Sequence, residues 1–158
     1  MKSKKLNLFL GIVVTLCALV AIFGLFGEAF GKIGNVPAGR GSAYDLIFQY
    51  EKHGYNSMPW LIAGFSFLVC GAVTGLLSAF LPGKIGAISF GLTLLFLVGS
   101  GVIFLFGKDI FLAAGTVSGA TDEDTALLSI GTGFILPAVF GFVGGALSLY
   151  GTYSSFKA

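Results

Sequence analysis

The residues able to do chemistry are few and lie in short stretches. Residues 41–60, GSAYDLIFQYEKHGYNSMPW, hold His53, the only histidine, with Asp45 and Glu51 shortly before it. A histidine near carboxylates is the raw material of general acid–base catalysis. Here no serine or cysteine stands beside it in a nucleophile motif, and no metal-ligand spacing is present. The densest acidic run is TDEDTALL at 121–128, with Asp122, Glu123 and Asp124. It lacks the D-x-[DN]-x-[DN]-G loop and distant Glu of an EF-hand. Thr121 and Asp124 instead have the spacing of a helix capping box, and acids suit the positive end of a helix. GKIGNVPAGRG at 31–41 is glycine-rich and contains Lys32 and Arg40, but without GK[ST] it is no phosphate loop. Cys17 and Cys70 belong to no CxxC or Cys/His set and read as small apolar packing residues. The expectation is a chain with no catalytic residue, no cofactor, no bound metal and no nucleic-acid partner.

The elements that carry these stretches are set by hydrophobicity. The chain has 158 residues, 56% hydrophobic and 10% charged, with a mean hydropathy of +0.96. Soluble domains carry about 25% charged residues. Four uncharged runs, Leu6–Gly27, Pro59–Leu81, Ile85–Gly107 and Ala126–Gly151, reach the roughly 20 residues that cross a bilayer as a helix. The fold expected is therefore an all-α membrane protein. It is a single four-transmembrane-helix bundle with outer loops at 28–58 and 108–125.

Charge sets the orientation. Four crossings put both termini on one side, with Lys2, Lys4, Lys5, Lys84 and Lys157 and no acid. The other side carries four basic and all seven acidic residues. The short basic N-terminus and the Lys84 turn favour cytoplasmic termini in a plasma membrane. MKSKK could also open a signal peptide cleaved near Gly27-Glu28-Ala29, but the apolar run exceeds the usual 7–15 residues or so of such a segment.

Pro82 and Gly83 in LPGKIG turn the chain between antiparallel second and third helices. Ser57 is expected to cap the second helix, with Pro59 in its first turn. Gly64, Gly71, Gly75 and Ala79 share one face of that helix; Gly133, Pro137, Gly141 and Gly145 do so in the fourth. Such stripes let helices approach closely, within the bundle or against another protein. Pro137 should kink the fourth helix. No Asp, Glu, Lys, Arg or His lies within the four runs, which counts against an ion-coupled pump. The hydroxyls of Thr15, Ser66, Thr74, Ser100, Ser129 and Thr132 could line a pore or bond back to their own helices. LFG at 25–27 and 105–107 hints at a duplicated helix pair.

Ser42 and Asp45 signal a helix start and Gly54 a stop. On a helical projection Tyr44, Ile47 and Phe48 share one face with Glu51, and Leu46, Tyr50 and His53 a neighbouring one. The segment is expected to be an amphipathic helix with an aromatic underside, on the membrane surface or over the mouth of the bundle. Tyr55 and Trp60 would join an outer aromatic belt, and Tyr150 and Tyr153 an inner one. Recognition outside the membrane would use Tyr44, Phe48, His53, Trp60, Asp122, Glu123 and Asp124.

Gly41–Phe48 fits G-x-x-[YF]-D-L-I-F. With the helix layout, it resembles small tetraspan membrane proteins of Gram-positive bacteria that have no assigned activity. Those proteins often have Gly after the Phe, where this chain has Gln49. The resemblance implies a bacterial plasma membrane and no activity. The loop lengths also echo claudins, but the W-G-L-W motif and paired loop cysteines are absent, so nothing is carried over. The function expected is a non-enzymatic structural, accessory or scaffold subunit that packs with other membrane proteins or with itself. A channel or transporter subunit is the alternative.

Overall fold

A computed structural model describes residues 2–33, 41–114 and 128–157. It is mostly helical. Helices α1 (Lys2–Gly24), α3 (Pro59–Phe80), α4 (Gly83–Leu105) and α6 (Thr132–Phe156) are long and apolar enough to cross a membrane. Between α1 and α3 lie strand β1 (Phe30–Ile33), helix α2 (Ala43–Phe48) and a 3-10 helix η1 (Tyr50–His53). Helix α5 (Gly107–Ala114) and strand β2 (Leu128–Ile130) lie between α4 and α6.

The four long helices form a square. Helices α1 and α4 each pack against α3 and α6, and barely touch one another across the diagonal. At one end α3 and α4 are joined through Leu81 and Pro82. Leu81 is extended, as the residue before a proline should be, and Gly83 takes φ +55°, which glycine adopts without strain. Both long connections fold at the other end, the cap end. Lys4, Lys5, Lys84 and Lys157 stand exposed at the first, the lysine end.

Small residues bring the helices together. A β-carbon at Gly11 would stand 2.7 Å from the Ala79 backbone, closing α1 on α3. One at Gly141 would stand 2.8 Å from the Leu97 carbonyl oxygen and 3.1 Å from Gly101 Cα, closing α6 on α4. The stripe residues Gly64, Gly71, Gly75, Ala79, Gly133, Pro137, Gly141 and Gly145 are all buried. Large apolar side chains face out instead, among them Phe9, Phe23, Phe80 and Leu95. Pro137 sits inside α6, which continues through it.

Several expectations are corrected. Helix α1 ends at Gly24 rather than Gly27, in tight turns from Leu25 to Gly27. Residues 128–130, expected to be helical, pair with β1 instead, and α6 starts at Thr132 and runs on to Phe156. Hydrophobicity cannot tell a short buried strand from a helix, and here backbone pairing decides. The third helix ends at Leu105 rather than Gly107, and after a break at Phe106 α5 carries helix on to Ala114, through residues expected to be a loop from 108. Met58, not Ser57, holds the N-cap position of α3, with Pro59 in the first turn as expected.

Candidate functional site: the cap over the bundle

The cap is built on the chain leaving α1. On one side of it, Ala29 N donates to Gly41 O, Ala43 N to Gly27 O and Tyr44 N to Leu25 O, at 2.8–3.1 Å. On the other side, Gly131 N donates to Ala29 O and Gly133 N to Glu28 O, at 2.9 and 2.8 Å. β1 and β2 pair antiparallel beyond it. Both connections are thus sewn to one strand-like hub. A β-carbon at Gly131 would strike Glu28 O, so the close approach requires glycine there. The Glu28 carbonyl also takes an N–H from the first turn of α6, which otherwise lacks a partner. That fixes where α6 can begin.

Helix α2 starts on the expected capping box. Asp45 N donates to Ser42 Oγ at 3.1 Å, and Ser42 N donates to Asp45 Oδ2 at 3.4 Å. Its buried face is aliphatic: Ala43, Leu46 and Ile47 are wholly covered. The aromatic underside expected for this segment is corrected. Tyr44 and Phe48 lie on the flank, half-buried and exposed respectively. Within α2 the buried face is centred on Ala43, Leu46 and Ile47 rather than on Tyr44 and Phe48, and beyond Phe48 the chain tightens into η1, where a 100° step no longer holds. Gly54, at φ +73°, ends η1 in the left-handed conformation.

Two aromatic tracks organise the cap. The outer one runs Phe26–Tyr44–Phe48–Phe65, with ring centroids 4.9–5.1 Å apart. The inner one runs Tyr55–Phe111–Phe30–Phe134–Phe104, with spacings of 4.8–6.4 Å. Aromatic pairs add about 0.5–1.5 kcal/mol each beyond their burial. The inner track therefore joins the cap to the core of the bundle. Tyr55, expected in an exposed belt, is buried against Phe111.

Trp60 is 67% exposed and lines a groove of about 450 Å³ with Met58, Asp109, Ile110 and Ala113. Asn56 Nδ2 donates to Ala114 O at 2.8 Å and ties the end of α5 to the approach to α3. The cap surface also carries the exposed acids Glu28, Glu51 and Asp109. Asp45 is engaged as a cap, and Lys52 Nζ donates to Gln49 Oε1 at 3.0 Å. The site residues Tyr44 and Phe48 are thus on the cap, and Trp60 stands beside it in the first turn of α3. His53 lies in η1, but its side chain falls outside the described residues, as do Thr121, Asp122, Glu123, Asp124 and Arg40. Among the described residues no three His, Cys, Asp or Glu side chains gather as a metal site would need.

Along the long helices the hydroxyls mostly turn back on their own helices. Thr15 donates to Gly11 O, Ser66 to Ile62 O and Thr74 to Cys70 O, at 2.8–2.9 Å. Ser100 Oγ is buried with no hydrogen-bond partner. Two polar clusters escaped the sequence analysis. Thr93 Oγ1 donates to Thr74 Oγ1 at 2.8 Å and Ser89 Oγ to Thr74 O at 2.9 Å, joining α4 to α3. At the lysine end Asn7 Nδ2 donates to Ser155 Oγ at 2.9 Å, and Ser154 Oγ to Asn7 Oδ1 at 3.2 Å, joining α1 to α6. A signal for the second existed: Asn7 is the only amide side chain in any of the four apolar runs.

Near the middle of α4, glycines of α3 and α6 close on Leu97. β-carbons at Gly71 and Gly144 would lie 2.6 and 2.7 Å from its two methyl groups, and Cys17 Cβ stands 3.3 Å from the Gly144 position. No protein-family model, curated protein or solved structure matches this chain.

Proposed function

We propose that the chain is a non-enzymatic tetraspan protein of a bacterial plasma membrane. It serves as an accessory or scaffold subunit that packs with other membrane proteins or with copies of itself. In this account α1, α3, α4 and α6 span the bilayer, both termini are cytoplasmic and the cap faces outward. The large apolar side chains facing out of the bundle match a lipid solvent. The lysine end matches the bias of cytoplasmic segments.

The observation that carries the proposal is the convergence on Leu97. Its side chain is fully buried between α3 and α6, hemmed by their glycines. An ion or solute path between these helices would have to displace it. The glycine stripes are likewise consumed by contacts within the chain, so a partner has little use of them. The cap remains, ordered by its backbone hub, with exposed Phe48 on it and exposed Trp60 beside it. Exposed aromatics beside a shaped groove are the usual anchors of recognition. The alternative, a channel or transporter subunit, draws on Pro137 and the unpartnered Ser100 hydroxyl.

Co-purification from the native membrane in mild detergent tests the proposal. A discrete complex is expected, lost in the Phe48→Ala/Trp60→Ala variant while its melting temperature stays near wild type. A lone monomer, or reconstituted vesicles that conduct, contradicts it.

A further inference from the structure

A second groove, of about 480 Å³, opens at the lysine end between the start of α1 and the α3–α4 turn. That volume lies within the range of small-ligand clefts. Its walls differ in chemistry. Leu8, Ala79, Phe80 and Leu81 supply an apolar side, and Phe80 is 71% exposed. Lys4 and Asn7 supply the polar side, and Pro82 and Gly83 open α4, whose N-cap offers no side-chain acceptor. Lys84 follows immediately. Every charged residue at this end is a lysine. The groove thus joins an apolar wall at the edge of the hydrophobic runs to an uncompensated cationic rim.

We propose that this groove binds one anionic phospholipid, with its phosphate headgroup at Lys4 and the head of its acyl chains along Leu8 and Phe80. Charge complementarity selects the occupant: a zwitterionic lipid brings its own cation into a rim that has only cations. The apolar wall selects a lipid over free phosphate, which gains nothing from it. The Asn7 amide is already engaged with Ser154 and Ser155, so it shapes the groove wall and leaves the ionic contact to Lys4.

The test uses the full chain reconstituted in nanodiscs of phosphatidylcholine alone or with phosphatidylglycerol. Lipid retained after extraction is counted by native mass spectrometry. Lys157 is the control, because it belongs to the same end but its Nζ lies 4.5 Å over the Tyr153 ring and it does not line the groove. One phosphatidylglycerol is expected to be retained preferentially. Lys4→Gln should weaken retention about fivefold, the usual contribution of one basic residue near an anionic surface. Lys157→Gln should leave it unchanged, and inorganic phosphate at millimolar concentration should not displace the lipid. Equal losses in both variants, no preference over phosphatidylcholine, or displacement by inorganic phosphate would each overturn the proposal. Lys4 is exposed, so the variant keeps its fold, and a thermal melt verifies this.

Discussion

The Cδ1 methyl of Leu97 lies 2.7 Å from where a β-carbon on Gly144 would stand, so Leu97 of α4 can seat against α6 there because residue 144 has no side chain. The same leucine presses its other methyl on Gly71 of α3. One side chain of α4 thus fills the space between α3 and α6.

Removing that side chain opens a cavity in the core. Leu97→Ala is expected to cost about 2–5 kcal/mol, the usual penalty for truncating a buried leucine. Gly141→Ala is expected to cost about 1–3 kcal/mol, because the clash is with backbone atoms of Leu97 and Gly101 that cannot swing aside. Gly91→Ala, where an added methyl meets nothing within 4 Å, should change stability by no more than about 0.5 kcal/mol. Unfolding in mixed micelles measures all three. Equal losses at positions 141 and 91 would contradict the packing described.

The two cysteines should respond differently to the same change. Cys17 is buried near Gly144, and Cys70 faces out of α3. Cys17→Leu is expected to lose about 1–3 kcal/mol by overpacking. Cys70→Leu should be neutral within about 0.5 kcal/mol. The same micelle assay checks both.

How much of this was legible in the sequence differs by element. The four long helices were readable because uncharged runs of that length have one stable form in lipid. Ser42, Asp45 and Gly54 were readable because capping and left-handed glycine are local chemistry. The cap hub was not, because the strand pairing of Phe30–Ile33 with Leu128–Ile130 joins segments about a hundred residues apart and leaves no periodic trace. Sequence separation likewise hid Tyr55 under Phe111 and Asn7 beside Ser155. The glycine stripes were visible, but which partner each would meet depends on helix order around the square.

The Asn7 clasp joins the two ends of the chain. A double-mutant cycle of Asn7→Leu and Ser155→Ala is expected to give a coupling of about 0.6–1.7 kcal/mol, the range for hydrogen bonds between membrane helices. Additive losses would show that the 2.9 Å contact contributes nothing.

The capping box should govern the local stability of the cap. Ser42→Ala removes the acceptor for Asp45 N and is expected to cost about 0.5–2 kcal/mol. Hydrogen exchange should quicken at the amides of α2 and η1, while the middle of α4 keeps its protection. Uniform quickening across all helices would mean that the cap is not a separate unit.

Photo-crosslinking in the native membrane tests the central claim most directly. A photoreactive phenylalanine analogue is placed at Trp60 beside the cap or at Leu95, which faces out from the middle of α4. Discrete protein adducts are expected from Trp60 and none from Leu95. Adducts from Leu95 with none from Trp60 would contradict recognition through the cap.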